Sequence, residues 1–278
     1  IIIIPPLLFH LKMLKIIIYL IERGINMKAL KNIPIKVLIL LFCFISQFIK
    51  GQETELTTIK SDSLYFESPT LFECNLQFPY DYKTDKPFPL LIGLHGGGGS
   101  YETFMNIWNH FEDPQFIMAT PQAPYKWLMG DEIGYDWSAW PTGNLEVMAK
   151  ALKLTSNYIE ILIQSLLEKY NINEVYLMGF SQGSIITQIA GIYNYEFLNG
   201  LIILSGPPLY ENGWSPWTDS FEIEWPTEES VQSANKLKVF IAHGKSDAIV
   251  NIELAYKSRD LYKKFQYDVD FFEFKGGH

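Results

Sequence analysis

The sequence predicts an α/β protein: a mostly parallel β-sheet with helices on both faces. Three observations carry this reading. Between residues 88 and 274, short apolar runs alternate with longer segments of helical period, the pattern of strand–helix–strand units. Phe88–His95 and Leu201–Ser205 are apolar almost without interruption, as strands covered on both faces must be. Val175–Phe180 runs into a tight Gly-x-Ser-x-Gly turn, Gly179-Phe180-Ser181-Gln182-Gly183, and a helical pattern starts directly after it.

The chain opens with segments that read as processing signals. Residues 1–26 are Ile-rich, carry Pro5-Pro6 and precede the start expected at Met27, with Met13 as an alternative start; they are expected to be an upstream non-native extension. Residues 27–52 read as a secretory signal peptide. Met27–Lys36 is basic, Val37–Ile49 is an apolar run of thirteen residues broken only by Ser46 and Gln47, and Lys50–Thr54 is polar. The run is short of the ~20 apolar residues that a membrane span needs. Cleavage is expected between Ser46 and Glu53, giving a secreted or periplasmic product with no stable membrane insertion. A lipoprotein anchored at Cys43, or a signal-anchored form, is the alternative, although Phe42 suits lipoprotein cleavage poorly. Residues 53–278 then form the folded domain. Only Cys43 and Cys74 are present, so removal of the signal leaves Cys74 without an internal disulfide partner. Cys74 alternates with apolar neighbours and reads as a half-buried strand residue.

The net charge of −9 is uneven, because the first fifty residues hold seven basic side chains and one acid. The remainder is strongly acidic and would repel a phosphate backbone, which excludes a nucleic-acid partner.

Asp62–Glu67 and Leu71–Tyr80 read as an antiparallel edge pair around Ser68-Pro69, followed by a polar turn over Asp81–Pro87. The Phe88–His95 strand ends in Gly96-Gly97-Gly98-Gly99. Tyr101–Phe111 is expected as a helix and Phe116–Thr120 as a short strand. Residues 128–142 read as a long aromatic-rich loop. From Leu145 to Tyr170, Leu152, Leu154, Tyr158, Ile159, Leu162, Ile163, Leu166 and Leu167 recur at helical spacing. After the serine strand and its helix, to about Tyr195, come a strand at Leu201–Ser205, a loop or cap over 206–235 and a strand at Leu237–Ala242. A helix at Glu253–Phe265 and a last strand at Val269–Phe274 complete the pattern.

The turn at Ser181 carries the chemistry. In Gly-x-Ser-x-Gly the chain reverses so sharply that the hydroxyl is thrust out above the sheet edge. A serine hydroxyl attacks only with a base in reach, and that base needs an orienting acid. In a fold of this kind the order is serine, acid, histidine, each after a strand. Only His243 and His278 follow Ser181. The order selects His278 as base and Asp247 as acid, with His243 supporting the turn that presents Asp247. An N-cap is the alternative role for Asp247, and Asp260, Asp268 and Asp270 are weaker competitors. Two backbone N–H groups should stabilise the oxyanion, those of Gln182 and of the glycine run, here Gly97. That run lacks the ending of a phosphate-binding loop and the third glycine of a dinucleotide fingerprint. No cofactor is expected, and no His or Cys pair stands at metal-ligand spacing. Tyr135, Trp137 and Trp140 either line a substrate pocket or pack their own loop.

Leu94-His95-Gly96-Gly97-Gly98, Gly179–Gly183, His243–Val250 and Gly276-Gly277-His278 together resemble the phospholipase/carboxylesterase branch of the α/β-hydrolases. Tyr135-Asp136-Trp137 looks like that branch's aromatic-aspartate loop. The resemblance spans residues 88–278. It implies an α/β-hydrolase fold, a Ser181–Asp247–His278 triad with Gly97 and Gln182 as oxyanion donors, and a small-molecule or lipid-like ester substrate. It also implies a helix after the histidine, which this sequence lacks, so a C-terminal truncation is expected. The expected function is that of a secreted serine esterase. A lysophospholipase and a feruloyl- or acetyl-type plant-ester esterase are the alternatives within the class. A catalytically silent binding protein on the same fold is the alternative from another class.

Overall fold

The computed structural model describes residues 70–209 and 226–278, and among them seven strands make one central sheet. In chain order these are β1 (Cys74–Gln77), β2 (Phe88–Leu94), β3 (Ile117–Pro121), β6 (Ile172–Phe180), β7 (Gly200–Leu204), β8 (Lys238–Gly244) and β9 (Asp268–Phe274). Two further strands, β4 (Tyr125–Met129) and β5 (Glu132–Asp136), form a separate hairpin. The sheet order is β1-β3-β2-β6-β7-β8-β9. Every pairing is parallel except β1 with β3, which is antiparallel at the edge.

The period-two alternation of the strands divides the core. Leu90, Ile92 and Leu94 of β2, Leu177 of β6, Ile203 of β7 and Ile241 of β8 face one side. They pack against α2 (Leu145–Lys169) and α3 (Gln182–Tyr193) through Ile159, Ile163, Ile186 and Ile189. Leu91, Met118 and Met178 face the other side, where Phe104, Met105 and Trp108 cover them. Phe104 and Met105 lie in α1 (Tyr101–Met105). On this second side Phe240 and Phe272 stand 38% and 55% exposed. Two further helices complete the connections, the short α4 (Glu228–Ser233) and α5 (Ile252–Lys264).

Several elements differ from expectation. The segment 128–142 is not one long loop: most of it is the β4–β5 hairpin and a short 3₁₀ turn at Trp140–Thr142. Its tip is the two-residue turn Gly130-Asp131, in which Gly130 has φ +67°, a backbone that glycine adopts without cost. The helix expected over Tyr101–Phe111 breaks into α1 and a 3₁₀ turn at Asn106–His110. Leu154 is 62% exposed on α2 and lies outside the buried stripe of Leu152, Ile159, Ile163 and Leu166. Within 206–235, residues 228–233 are helical, and 210–225 lie outside the described residues. The expected extension 1–26, signal peptide 27–52 and strand Asp62–Glu67 also lie outside them.

The C-terminal ends of the strands are tied to one another just past the ladders. Ser181 donates its N–H to the carbonyl of Leu204 (2.9 Å), and Ser205 to that of Ala242 (3.0 Å). Lys245 donates to Phe274 (2.9 Å) and Ser246 to Gly276 (2.9 Å). The residues of the site hang from these successive ends.

Candidate active site

Ser181 sits between β6 and α3 with φ 52° and ψ −117°, a strained backbone that persists only where its surroundings over-determine it. Its glycine neighbours are required by contact. A Cβ on Gly179 would stand 2.2 Å from the carbonyl oxygen of Gly183, and one on Gly183 would stand 2.3 Å from that of Leu94. The turn therefore seats itself against the end of β2, and the hydroxyl meets the imidazole of His278.

The structure brings together the three side chains that chain order selects. Ser181 Oγ lies 2.9 Å from His278 Nε2, and His278 Nδ1 lies 2.8 Å from Asp247 Oδ2. An aspartate oxygen can only accept, so Nδ1 carries the proton and Nε2 is left with a lone pair toward the serine. The His278 ring also packs at 4.9 Å on Phe180.

Asp247 has no exposed side-chain surface. Its Oδ1 accepts the N–H groups of Ile249 (2.9 Å) and Val250 (2.8 Å). Burial alone would raise its pKa, but the hydrogen bonds from His278, Val250 and Ile249 outweigh that and hold the carboxyl below its ordinary range. The neighbouring helix α5 is capped instead by Asn251, whose side chain accepts from Glu253 N–H at 2.9 Å. Asp260 pairs with Arg259 at the surface, and Asp268 and Asp270 are exposed on β9. His243 is wholly buried, with Nε2 2.7 Å from the carbonyl of Val250 and 3.2 Å from Asp247 Oδ2. It ties both ends of the Asp247 turn, the supporting place expected for it.

Gln182 is the first residue of α3, so its N–H has no acceptor within the helix. Gly97 lies beside it: a Cβ there would stand 3.2 Å from Gln182 Oε1. The glycine run is clamped by the hairpin, with Gly98 N–H donating to Tyr135 O (2.9 Å) and Tyr135 N–H to Gly99 O (2.8 Å). Gly98 has φ +76°. A Cβ on Gly134 would stand 2.1 Å from the Gly98 carbonyl oxygen, so this close crossing needs glycine on the hairpin side. His95, just before the run, is buried; burial lowers its pKa, opposed by its hydrogen bond to Gly96 O and by the charges of Asp136 and Glu102.

A cavity of about 180 Å³ opens beside Ser181, walled by Trp127, Trp140, Leu152, Ile185, Ile186 and Val250. Gly97, Ser138, Gln182 and Pro207 complete its lining. Of the three aromatic residues considered for a pocket, Trp140 is on this wall and Tyr135 and Trp137 are not. Trp137 has no exposed surface, and its indole N–H donates to the carbonyl of His95 at 2.8 Å, so it packs its own loop against β2. Tyr135 serves through its backbone. Trp127 and the aliphatic residues of α2 and α3 were not legible as pocket residues. The Gly-Asp pair at 130–131 is a hairpin signal that would have set Trp127 on a strand turned toward the site.

A profile of the phospholipase/carboxylesterase family matches residues 81–278. An acyl-protein thioesterase 1 from Gibberella zeae is 30% identical over 199 residues, covering 67% of this chain and 80% of that protein. The carboxylesterase SOBER1 of Arabidopsis thaliana is 25% identical over 199 residues, covering 68% of this chain and 82% of its own length. Among solved structures, esterase PE8 superposes with a TM-score of 0.58 at 19% identity, over 75% of this chain and 92% of that one. That last likeness is one of fold.

Proposed function

Because the chain belongs to the phospholipase/carboxylesterase family, we propose that it hydrolyses carboxylic esters through an acyl-enzyme on Ser181. The observation that carries this reading is the unbroken hydrogen-bonded line from Ser181 Oγ through His278 to Asp247, at 2.9 and 2.8 Å. Ser181 Oγ attacks the ester carbonyl carbon while His278 Nε2 takes its proton. The carbonyl oxygen becomes negative and is held by the N–H groups of Gly97 and Gln182. As the tetrahedral adduct collapses, the bond to the alcohol oxygen breaks and His278 returns the proton to that oxygen. Water then attacks the acyl-enzyme by the same route, releasing the acid and restoring Ser181. Asp247 stays ionised throughout and stabilises the imidazolium.

The cavity wall of Trp127, Trp140, Leu152, Ile185, Ile186 and Val250 favours an apolar acyl group. The name of the thioesterase relative extends this proposal to acyl thioesters, whose carbonyl is attacked in the same way. We also propose export, on the basic-then-apolar order of residues 27–49; a full-length product retained inside the cell contradicts it.

Hydrolysis of nitrophenyl acetate and butyrate tests the central reading. Ser181→Ala should lose activity by on the order of 10⁴–10⁶-fold, and a fluorophosphonate probe should label the wild type at Ser181. Equal rates for wild type and Ser181→Ala would end it, and a folded chain that neither labels nor turns over would be a binding protein.

A further inference from the structure

The two proposed oxyanion donors lie on different segments of the chain, and one buried carboxylate connects them. Asp136 ends β5 and has no exposed surface. Its Oδ1 accepts the N–H groups of Ser138 (2.9 Å) and Trp140 (2.8 Å), which hold the turn after the strand. Its Oδ2 accepts Gln182 Nε2–H at 2.6 Å. The rest of the Gln182 amide is also engaged: Nε2 lies 3.0 Å from Ser138 Oγ, and Oε1 accepts Trp137 N–H at 3.2 Å. This fixed amide lies against Gly97, with Oε1 3.2 Å from where a Gly97 Cβ would be. One residue before Asp136, Tyr135 grips Gly98 and Gly99 through its backbone.

We propose that Asp136 is a positioning residue for the oxyanion hole: it locks the Gln182 side chain, and that side chain sets the spacing between the N–H groups of Gln182 and Gly97. The inference deepens the Ser181 acyl-enzyme reading and rests on it. The chemistry requires a carboxylate at this place. Both oxygens of Asp136 receive donors, and a carboxylate has acceptors on both. An asparagine must spend its oxygen on Ser138 and Trp140, which turns its NH₂ against the NH₂ of Gln182. If Gln182 flips to present its oxygen instead, its NH₂ meets the N–H of Trp137. Either orientation leaves two donors face to face in a buried site, which is costly. A residue that merely held the turn would not need to discriminate at Oδ2.

The test uses the full chain with Asp136→Asn, Gln182→Met and the double variant. Gln182→Met keeps the backbone donor and leaves the Asp136 turn bonds intact. Each is assayed on nitrophenyl butyrate and against a trifluoromethyl ketone, whose carbonyl takes up Ser181 Oγ and becomes an oxyanion. The matching methyl ketone, which binds without forming a stable oxyanion, is the control. Loss of a donor from an oxyanion hole costs ~10²–10³-fold, so loss of its alignment is expected to cost on the order of 10–100-fold in kcat, with KM changed less than about threefold. Ki for the trifluoromethyl ketone should rise in the same proportion while methyl ketone binding holds. The double variant should be no worse than the poorer single, because both act through one contact. The proposal is overturned if folded Gln182→Met or Asp136→Asn keeps kcat and Ki near wild type, or if both ketones weaken together. Should Asp136→Asn not fold, Gln182→Met alone decides. Ser181→Ala in the same series separates the two ideas: its retained activity would sink the acyl-enzyme reading, whereas its inactivity beside unaffected Asp136 and Gln182 variants sinks only this one.

Discussion

Asp247 receives two backbone N–H groups and faces two imidazoles, those of His278 at 2.8 Å and His243 at 3.2 Å. Asp247→Asn keeps the shape but turns an NH₂ toward both rings. It should force the wrong tautomer on His278 and lower kcat by about 10⁴-fold, read with nitrophenyl butyrate at pH 7.5. The carboxyl's lowered pKa also has a sign. Its stabilising effect is present above the ordinary value of 3.8 and is lost as pH falls through its lower folded value. Cys74 is governed by burial, which pushes its thiol up to about 12. Native protein at pH 8 should therefore resist iodoacetamide at Cys74 and accept it once unfolded, as peptide mass mapping would show. At this scale the sequence was readable where chemistry imposes an order along the chain, as with Ser181, Asp247 and His278. It was silent where contact is decided by packing. Asp136 and Gln182 are 46 positions apart, and no periodicity or motif links them.

The β4–β5 hairpin is an element at the site that sequence reading missed. Aromatic residues crowd 125–140, and strand alternation is short on either side of Gly130-Asp131. The hairpin adds no strand to the central sheet; its work is to clamp the glycine run through Tyr135. Gly134→Ala tests that coupling, since its Cβ would strike the Gly98 carbonyl. Crowding of this kind costs ~1–3 kcal/mol, and kcat should fall more than KM rises because the displaced backbone is the oxyanion side of the site. A thermal melt alongside steady-state kinetics measures both. The parallel strands were readable for the opposite reason: burial on both faces leaves continuous apolar runs at Phe88–Leu94 and Gly200–Leu204.

For the molecule as a whole, an α/β architecture followed from the alternation of those runs with helices. Which side chains fill each of the two apolar layers, and the seating of the hairpin on the glycine run, emerged only from tertiary contact. Global stability should carry a signature of one buried imidazole. His95 has its pKa lowered below 6.5, chiefly by burial, so folding favours its neutral form. That contribution is complete above 6.5 and is lost as pH falls toward the lower folded value. Comparing Tm for wild type and His95→Asn at pH 7.5 and 5.5 should show the wild type losing more on acidification. The knotting of strand ends to their neighbours has a kinetic meaning as well. The amide protons of Ser181, Ser205 and Lys245 each end on the carbonyl of an adjacent strand, so solvent deuterons can reach them only when the β6–β9 rungs part. Those amides should therefore exchange at the slow rate of global unfolding, unlike the fast fraying ordinary for loops above a sheet.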